Sequence, residues 1–571
     1  MIRIIKRLPA DKVVVAIMFL LLQISGAIYL PYMTANIVNE GIVNGDIYYI
    51  CQQGIFMIGI TIMSLIGQVL NTYISAKISY NMSSKLRKDI YNKALTFSKR
   101  EYDKFGAASL ITRNINDVTQ VQSLVEMGLK FLIIAPLYLL GGIVMTYRLS
   151  PKLSLIFIGV IPFLAIGTIV IYRFANPLYE KMQKLLDRLN LLFREGLTGV
   201  KVIRAFGREE EDYKKYNAIN QNYTKTAIKA GTIMSVFTPF ITVLLNLTTI
   251  IIIWIGSRSI ASGTMEIGTT MAAISYSTQI LIGFTILASV ILAIPRGKIS
   301  IERINEILDM NLSIIESSKT EVSKNRYLQF EKVDFSYPGA EKKALEDISF
   351  KVKEGETLAI IGSTGDGKTS LINLIIRLYD IESGYIKIGD VDIRKIKKSE
   401  LNHMVSLVPQ KSTLFMGSIR DNMLIAKPDA TDEEIWEALD LACATEFVSN
   451  LNGGLDSMVE KAGGNFSGGQ KQRICIARGL LKDANIYIFD DSFSALDFKT
   501  DRIIRESIQN KLSKAITVIV AQRVSAVMNA DLIAVLDNGK LVGLGTHEEL
   551  KKSNNVYKEI IDSQMYKEGI A

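Results

Sequence analysis

Two stretches of this chain carry residue types that handle phosphate and metal together. Residues 486–497 read IYIFDDSFSALD, an apolar run ending in two adjacent carboxylates, Asp490 and Asp491. Upstream, Gly362-Ser363-Thr364-Gly365-Asp366-Gly367-Lys368-Thr369 follows the spacing GxxxxGK[ST]. Glycines there let backbone N–H groups turn inward around phosphate oxygens, and a helix starting at the loop adds positive potential. In such a loop the lysine, Lys368, reaches the β- and γ-phosphates, and the Thr369 hydroxyl ligates Mg2+. In a nucleotide-hydrolysing protein with such a loop, the first carboxylate of the later run, Asp490, would hold the same ion, directly or through a water. The residue beside it would polarise the attacking water. At that second position stands Asp491, one methylene shorter than a Glu.

Elements must hold these residues level. Residues 357–361 (TLAII) form a short apolar strand running straight into the loop, and 370–378, opening at Ser370, has helical spacing. That strand–loop–helix setting separates a phosphate loop from a chance run of glycines. The surrounding soluble α/β domain opens near Leu328 with the strand-like alternation QFEKVDFSYPG.

The remainder is different in kind. A chain of 571 residues exceeds one ordinary core, so two or more domains are expected. Hydrophobic residues make up 49% of it and crowd into the first ~300 positions. Six runs there are long enough to cross a bilayer: 13–37, 54–74, 129–147, 153–172, 233–255 and 271–294. The first follows Arg3, Lys6 and Arg7 but is too long for the core of a cleaved signal. The net charge of +9 fits positive residues flanking membrane helices better than nucleic-acid binding. Lys85, Arg87, Lys88, Lys93, Lys99 and Arg100 lie in the long segment 75–128, and 173–232 is similarly basic. The N-terminus, both long segments and the C-terminal domain are therefore expected on the cytoplasmic side. Both segments exceed structureless loops and are expected to be membrane helices continued into the cytoplasm, turning near 105–117, with Gly106 at the break, and near 210–216. Gln23, Gln68, Asn71, Asn246 and Gln279 fall within the spans. They serve either a substrate pathway or helix–helix hydrogen bonding. Cys51, Cys443 and Cys475 are isolated, which suits a reducing cytosol.

Residues 465–470, NFSGGQ, precede the carboxylate strand and narrow the class. With them the chain resembles the ATP-binding cassette (ABC) family, specifically its six-helix exporters: FREGLTGVKVIRAFGRE at 193–209 and FGAASLITRNIND at 105–117 resemble the cytoplasmic extensions of such half-transporters. The resemblance implies an α-helical six-span membrane domain at 1–300, a linker at 301–327 and a P-loop ATPase domain at 328–571. It implies ATP and Mg2+ as cofactors. Tyr337 would stack on adenine, and Gln410 would sense Mg2+ and the membrane domain. Ser467, Gly468, Gly469 and Gln470 would contact the ATP held by a second half-transporter. Residues 494–497, SALD, would cross between subunits.

Several positions depart from the family pattern. Asp491 stands for the catalytic Glu, and Gln522 for the switch histidine; only His403 and His547 occur in the chain. Glu460-Lys461 replaces the usual Gly-Glu before the signature. On an unchanged backbone Asp falls roughly 1–1.5 Å short, and a misplacement of about 1 Å can cost on the order of 100-fold. A glutamine donates a hydrogen bond but carries no imidazolium charge. The pattern resembles the degenerate-site subunit of a heterodimeric bacterial exporter, sited in the cell membrane, with drug- or lipid-like amphipathic cargo and no nucleic-acid partner. A peptide exporter subunit and an ATP-binding regulatory membrane protein are the alternative readings.

Overall fold

A computed structural model describes residues 7–314 and 325–568. The chain divides into two compact units, one of residues 1–95 and 108–310, the other of 96–107 and 311–571.

In the first unit, six helices among the described residues are long and apolar enough to cross a membrane. With the short helices that link them they are α1 (Ala10–Ile42), α2 (Ile47–Leu95), α3 (Lys99–Phe105), α4 (Ala107–Leu149), α5 (Pro151–Thr198), α6 (Val200–Ala205), α7 (Glu209–Ala261) and α8 (Ile267–Leu308). Helices α1 and α2 approach closely at Gly67, where a Cβ would lie 2.8 Å from the Phe19 carbonyl. Small residues permit such backbone contact in the absence of a hydrophobic drive. Asn71 donates to the Ala16 carbonyl at 2.8 Å, and Gln279 to that of Ala27 at 2.8 Å, so these two side chains tie helices together. Gln68 and Asn246 are exposed.

The first cytoplasmic-type turn breaks at Gly106 (φ +71). The second does not fall at 210–216. Glu209, Glu210, Glu211 and Asp212 instead fill the first turn of α7, where carboxylates meet the positive end of the helix. The chain reverses before them, from Gly199 through α6 to Gly207 (φ +62).

The segment 96–107 groups with the second unit. Ser98 and Glu101 close a capping box on α3. Glu101 is 1% exposed and accepts N–H groups of Ser98 at 2.8 Å and Ser313 at 3.0 Å. Burial alone would push its carboxyl up, but the bonds from Ser98 and Ser313 outweigh that and hold it below the usual range. The Lys99 N–H donates to the Leu378 carbonyl at 3.3 Å, and the Tyr379 hydroxyl donates to Asp103 at 3.1 Å.

The rest of this unit is a ten-stranded curled sheet with helices. Its strands are β1 (Tyr327–Phe335), β2 (Leu345–Lys353), β3 (Thr357–Ile361), β4 (Ser383–Ile388), β5 (Val391–Asp392), β6 (Val405–Val408), β7 (Gly417–Ser418), β8 (Met458–Val459), β9 (Ile486–Asp490), β10 (Ile516–Val520), β11 (Leu532–Asp537) and β12 (Lys540–Gly545). The order is β5-β4-β1-β2-β12-β11-β3-β10-β9-β6, with β7 and β8 paired apart. Strands β11, β3, β10, β9 and β6 run parallel. Buried on both faces, they are near-continuous apolar runs, as parallel strands must be. Their side chains alternate between two cores: Leu358 and Ile360 enter one, Ala359 and Ile361 the other.

Candidate nucleotide site

Register places the site. Val520 pairs with both Ile360 and Asp490, and Val408 with Phe489, so the carboxyl ends of β3, β9, β10 and β6 stand level. The phosphate loop, Asp490–Asp491, Gln522 and Gln410 leave from those four ends. Ligands of open parallel sheets bind at this edge.

In the loop, Gly365 (φ +100) and Gly367 (φ +94) occupy backbone that other residues rarely adopt. Asp366 is buried and fixes the loop from within, accepting the N–H of Ser363 and, at 3.2 Å, that of Asn538. Lys368 begins helix α9 (Lys368–Ile375) and folds back to donate to the carbonyls of Gly362 at 2.7 Å and Ser363 at 2.5 Å. Burial pushes its ammonium down, against the pull of Asp366, Asp491 and Asp490. Ser363, Thr364, Gly365 and Thr369 are exposed, which leaves the loop's outer face and the Thr369 hydroxyl open to a ligand. Ser370, one turn position on, is buried and shares a 2.8 Å hydrogen bond with the Tyr337 hydroxyl.

Asp490 is buried, and burial, reinforced by Asp491, raises its carboxyl above the ordinary value while Lys368 opposes. Asp491 has φ +46, a left-handed backbone that Asp tolerates better than most residues. Its Oδ2 accepts from Gln410 Nε2 at 3.3 Å and Gln522 Nε2 at 3.4 Å. Two amides from two other strand ends therefore converge on one oxygen of Asp491.

These groups fit Mg2+. Thr369 hydroxyl, Gln410 carbonyl and Asp490 carboxylate are hard oxygen donors, and Gln410 uses its Nε2 on Asp491, which leaves Oε1 for a cation. No group of three His, Cys, Asp or Glu able to hold a metal occurs among the described residues. A divalent charge beside Asp490 would also relieve the repulsion that raises it.

Tyr337 sits in an aromatic cluster, edge-on to Phe335 at 4.9 Å and to Tyr379 at 5.4 Å between ring centroids. Sequence reasoning missed Tyr379: nothing in its spacing distinguishes it from core. Residues 467–470 lie elsewhere, and no hydrogen bond among the described residues joins them to the phosphate loop. Ser467 caps helix α10 (Gly468–Leu481) through a reciprocal bond with Gln470. Ser467 and Gly468 are exposed, so this helix N-terminus, with its unpaired N–H groups, faces outward. Gln472 accepts the Ala495 N–H at 3.3 Å and fastens the signature helix to the 494–497 loop. Its place two residues past the signature was the only available hint. His547 lies outside the site, with its Nδ1 2.8 Å from the Tyr557 hydroxyl.

Residues 13–284 match the family described as ABC transporter transmembrane region, and residues 345–494 match ABC transporter. An ABC transporter ATP-binding protein of Mycobacterium tuberculosis, MT1311, is 36% identical over 563 residues, covering 97% of this chain and 96% of that protein. YfiB of Bacillus subtilis, also named an ABC transporter ATP-binding protein, is 34% identical over 555 residues, covering 97% and 96%. The structure of a bacterial Atm1-family ABC exporter with ATP bound superimposes with a TM-score of 0.83 at 23% identity, over 97% of this chain and 98% of that one, and so shares its fold. With relatives at this identity along nearly its whole length and a phosphate loop at the carboxyl edge of a parallel sheet, this chain belongs to the ABC transporter family, as an ATP-dependent transporter in which a transmembrane region is fused to an ABC ATPase domain.

Proposed function

We propose that this chain is the ATP-holding half of a heterodimeric exporter of amphipathic, drug- or lipid-like compounds. It sits in the bacterial cell membrane, with its N-terminus and ATPase domain on the cytoplasmic side. The observation that carries the reading is the environment of Asp491. Its short carboxylate is engaged by two neutral amides, Gln410 and Gln522, where turnover calls for a base that reaches the water and a cation that meets the γ-phosphate.

Binding is a separate matter from turnover. Lys368, Thr369, the loop N–H groups and Asp490 remain to hold Mg·ATP, and Tyr337 offers a ring to the base. When bound, Mg2+ neutralises charge on the β- and γ-phosphates. Ser467, Gly468, Gly469 and Gln470, intact and outward-facing, serve the nucleotide of the partner half-transporter. ATP would persist at this chain's site while the partner's turns over, and the membrane helices would shift between inward- and outward-facing populations with that cycle. The basic residues of 75–128 and 173–232 support the orientation.

Asp491→Glu combined with Gln522→His tests the reading. In the complex with the partner, single-turnover hydrolysis at this chain's site should rise about 10- to 100-fold, the scale of a corrected ~1 Å misplacement. An unchanged rate would overturn the impaired-site assignment. Vectorial dye uptake into vesicles checks the cargo class: substrate-independent ATPase activity with no transport would favour a regulatory role instead.

A further inference from the structure

Away from the nucleotide, the first unit holds a cavity of about 710 Å3 where α1 begins and α2 passes from its apolar to its charged stretch. Arg7, Lys12, Lys77, Lys85 and Lys88 line it, and no carboxylate does. Arg7 is paired with Asp89 at 2.6 Å. Among the described residues Lys12, Lys77, Lys85 and Lys88 have no carboxylate within ion-pair distance; Lys77 lies only over the Tyr73 ring, at 5.5 Å. Tyr73, Lys77, Lys85 and Lys88 share one face of α2 and extend along about 22 Å of it. The other lining is apolar, with Val15 and Ile74 from the hydrophobic portions of α1 and α2.

We propose that this cavity binds the headgroup of an acidic phospholipid. Lys12, Lys77, Lys85 and Lys88 are exposed and of one sign, and lining one cavity they set up a positive potential that draws an anion to it. The depth is right for a lipid. Residues 54–74 of α2 form the membrane-crossing run; Lys77 stands three residues beyond it, at headgroup level, and Lys85 and Lys88 follow about 12 and 17 Å further along the helix, lining the same cavity. A soluble phosphate would satisfy the lysines but leave the Val15, Tyr73 and Ile74 wall unfilled. An acyl chain continuing from the headgroup covers it. Only the leaflet rests on the proposed orientation; the existence of the site does not.

The experiment is lipid retention by the full-length protein, purified with its partner and read by native mass spectrometry after equilibration with phosphatidylglycerol or phosphatidylcholine. Wild type should retain phosphatidylglycerol selectively, and raising salt should weaken that retention. K77Q/K85Q/K88Q should weaken it by about five-fold per lysine, on the order of 100-fold together. K77R/K85R/K88R should keep it. Thermal stabilisation by Mg·ATP, which uses none of these residues, should be the same in all three proteins. Equal retention by wild type and the glutamine variant would overturn the proposal. So would retention independent of salt, which also decides the matter if the glutamine variant does not fold. Full displacement of phosphatidylglycerol by millimolar inorganic phosphate would show a site for soluble anions and equally overturn the lipid assignment.

Discussion

At Asp490 the folded chain holds a carboxyl whose proton binds more tightly than it would in the unfolded chain, because burial and Asp491 both penalise the charge. The sign follows from linkage: above the ordinary carboxylate range, ionising Asp490 takes stability from the nucleotide-free protein, and the loss grows as pH rises through its raised value. Asp490→Asn should therefore raise the thermal midpoint of the nucleotide-free chain at neutral pH. The same variant should lose most of the stabilisation by Mg·ATP, which for wild type at 100 times Kd is about 2.7 kcal/mol. A variant that keeps the Mg·ATP shift would remove Asp490 from the metal site. Little of this residue-scale detail was legible beforehand. The Asp490–Asp491 pair was plain in the sequence, but Gln410 and Gln522 meet Asp491 across separations of 81 and 31 residues, which no local spacing encodes.

Elements were more legible than contacts. Strands β3 and β9 read directly as short apolar runs because both faces are buried. The second turn lies before 210–216 because the four acidic residues Glu209–Asp212 stand inside the first turn of α7, where the positive helix end favours them. Two elements invite measurement. Removing the Glu101 side chain in Glu101→Ala leaves the Ser98 and Ser313 N–H groups without their acceptor, so amide exchange at 98–105 and 311–314 should speed by about 10- to 100-fold, the equivalent of one lost charge-assisted bond. Unchanged exchange would mean that α3 is held by other contacts. On β1, Asp334 accepts from the Asp347 N–H at 3.0 Å and the Ser383 hydroxyl at 2.8 Å, with Lys343 at 3.0 Å. These hold its carboxyl down to about 2, against an ordinary 3.8. Its contribution is complete above pH ~4 and lost as pH falls towards ~2, so Asp334→Asn should flatten acid unfolding across that window.

At the scale of the whole molecule, the proposed half-site arrangement makes activity depend on assembly. Purified alone, the chain should bind ATP, seen as nucleotide-dependent thermal stabilisation, yet hydrolyse it slowly; vigorous turnover as a homodimer would sink the heterodimer reading. The six spans and their order were legible because the bilayer demands length and apolarity. Cargo was not, because a transport cavity is shaped by helix rotation and by two chains together. Tyr379, edge-on to Tyr337, has its hydroxyl fastened to Asp103, and the neighbouring Leu378 carbonyl is met by Lys99. Both anchors come from α3, encoded more than 270 positions earlier. A soluble fragment cut at the start of β1 would keep every nucleotide motif and still lack the brace behind Tyr379 and Tyr337. On the proposed reading of Tyr337 as the ring that meets the base, the nucleotide affinity of such a fragment would understate that of the intact chain.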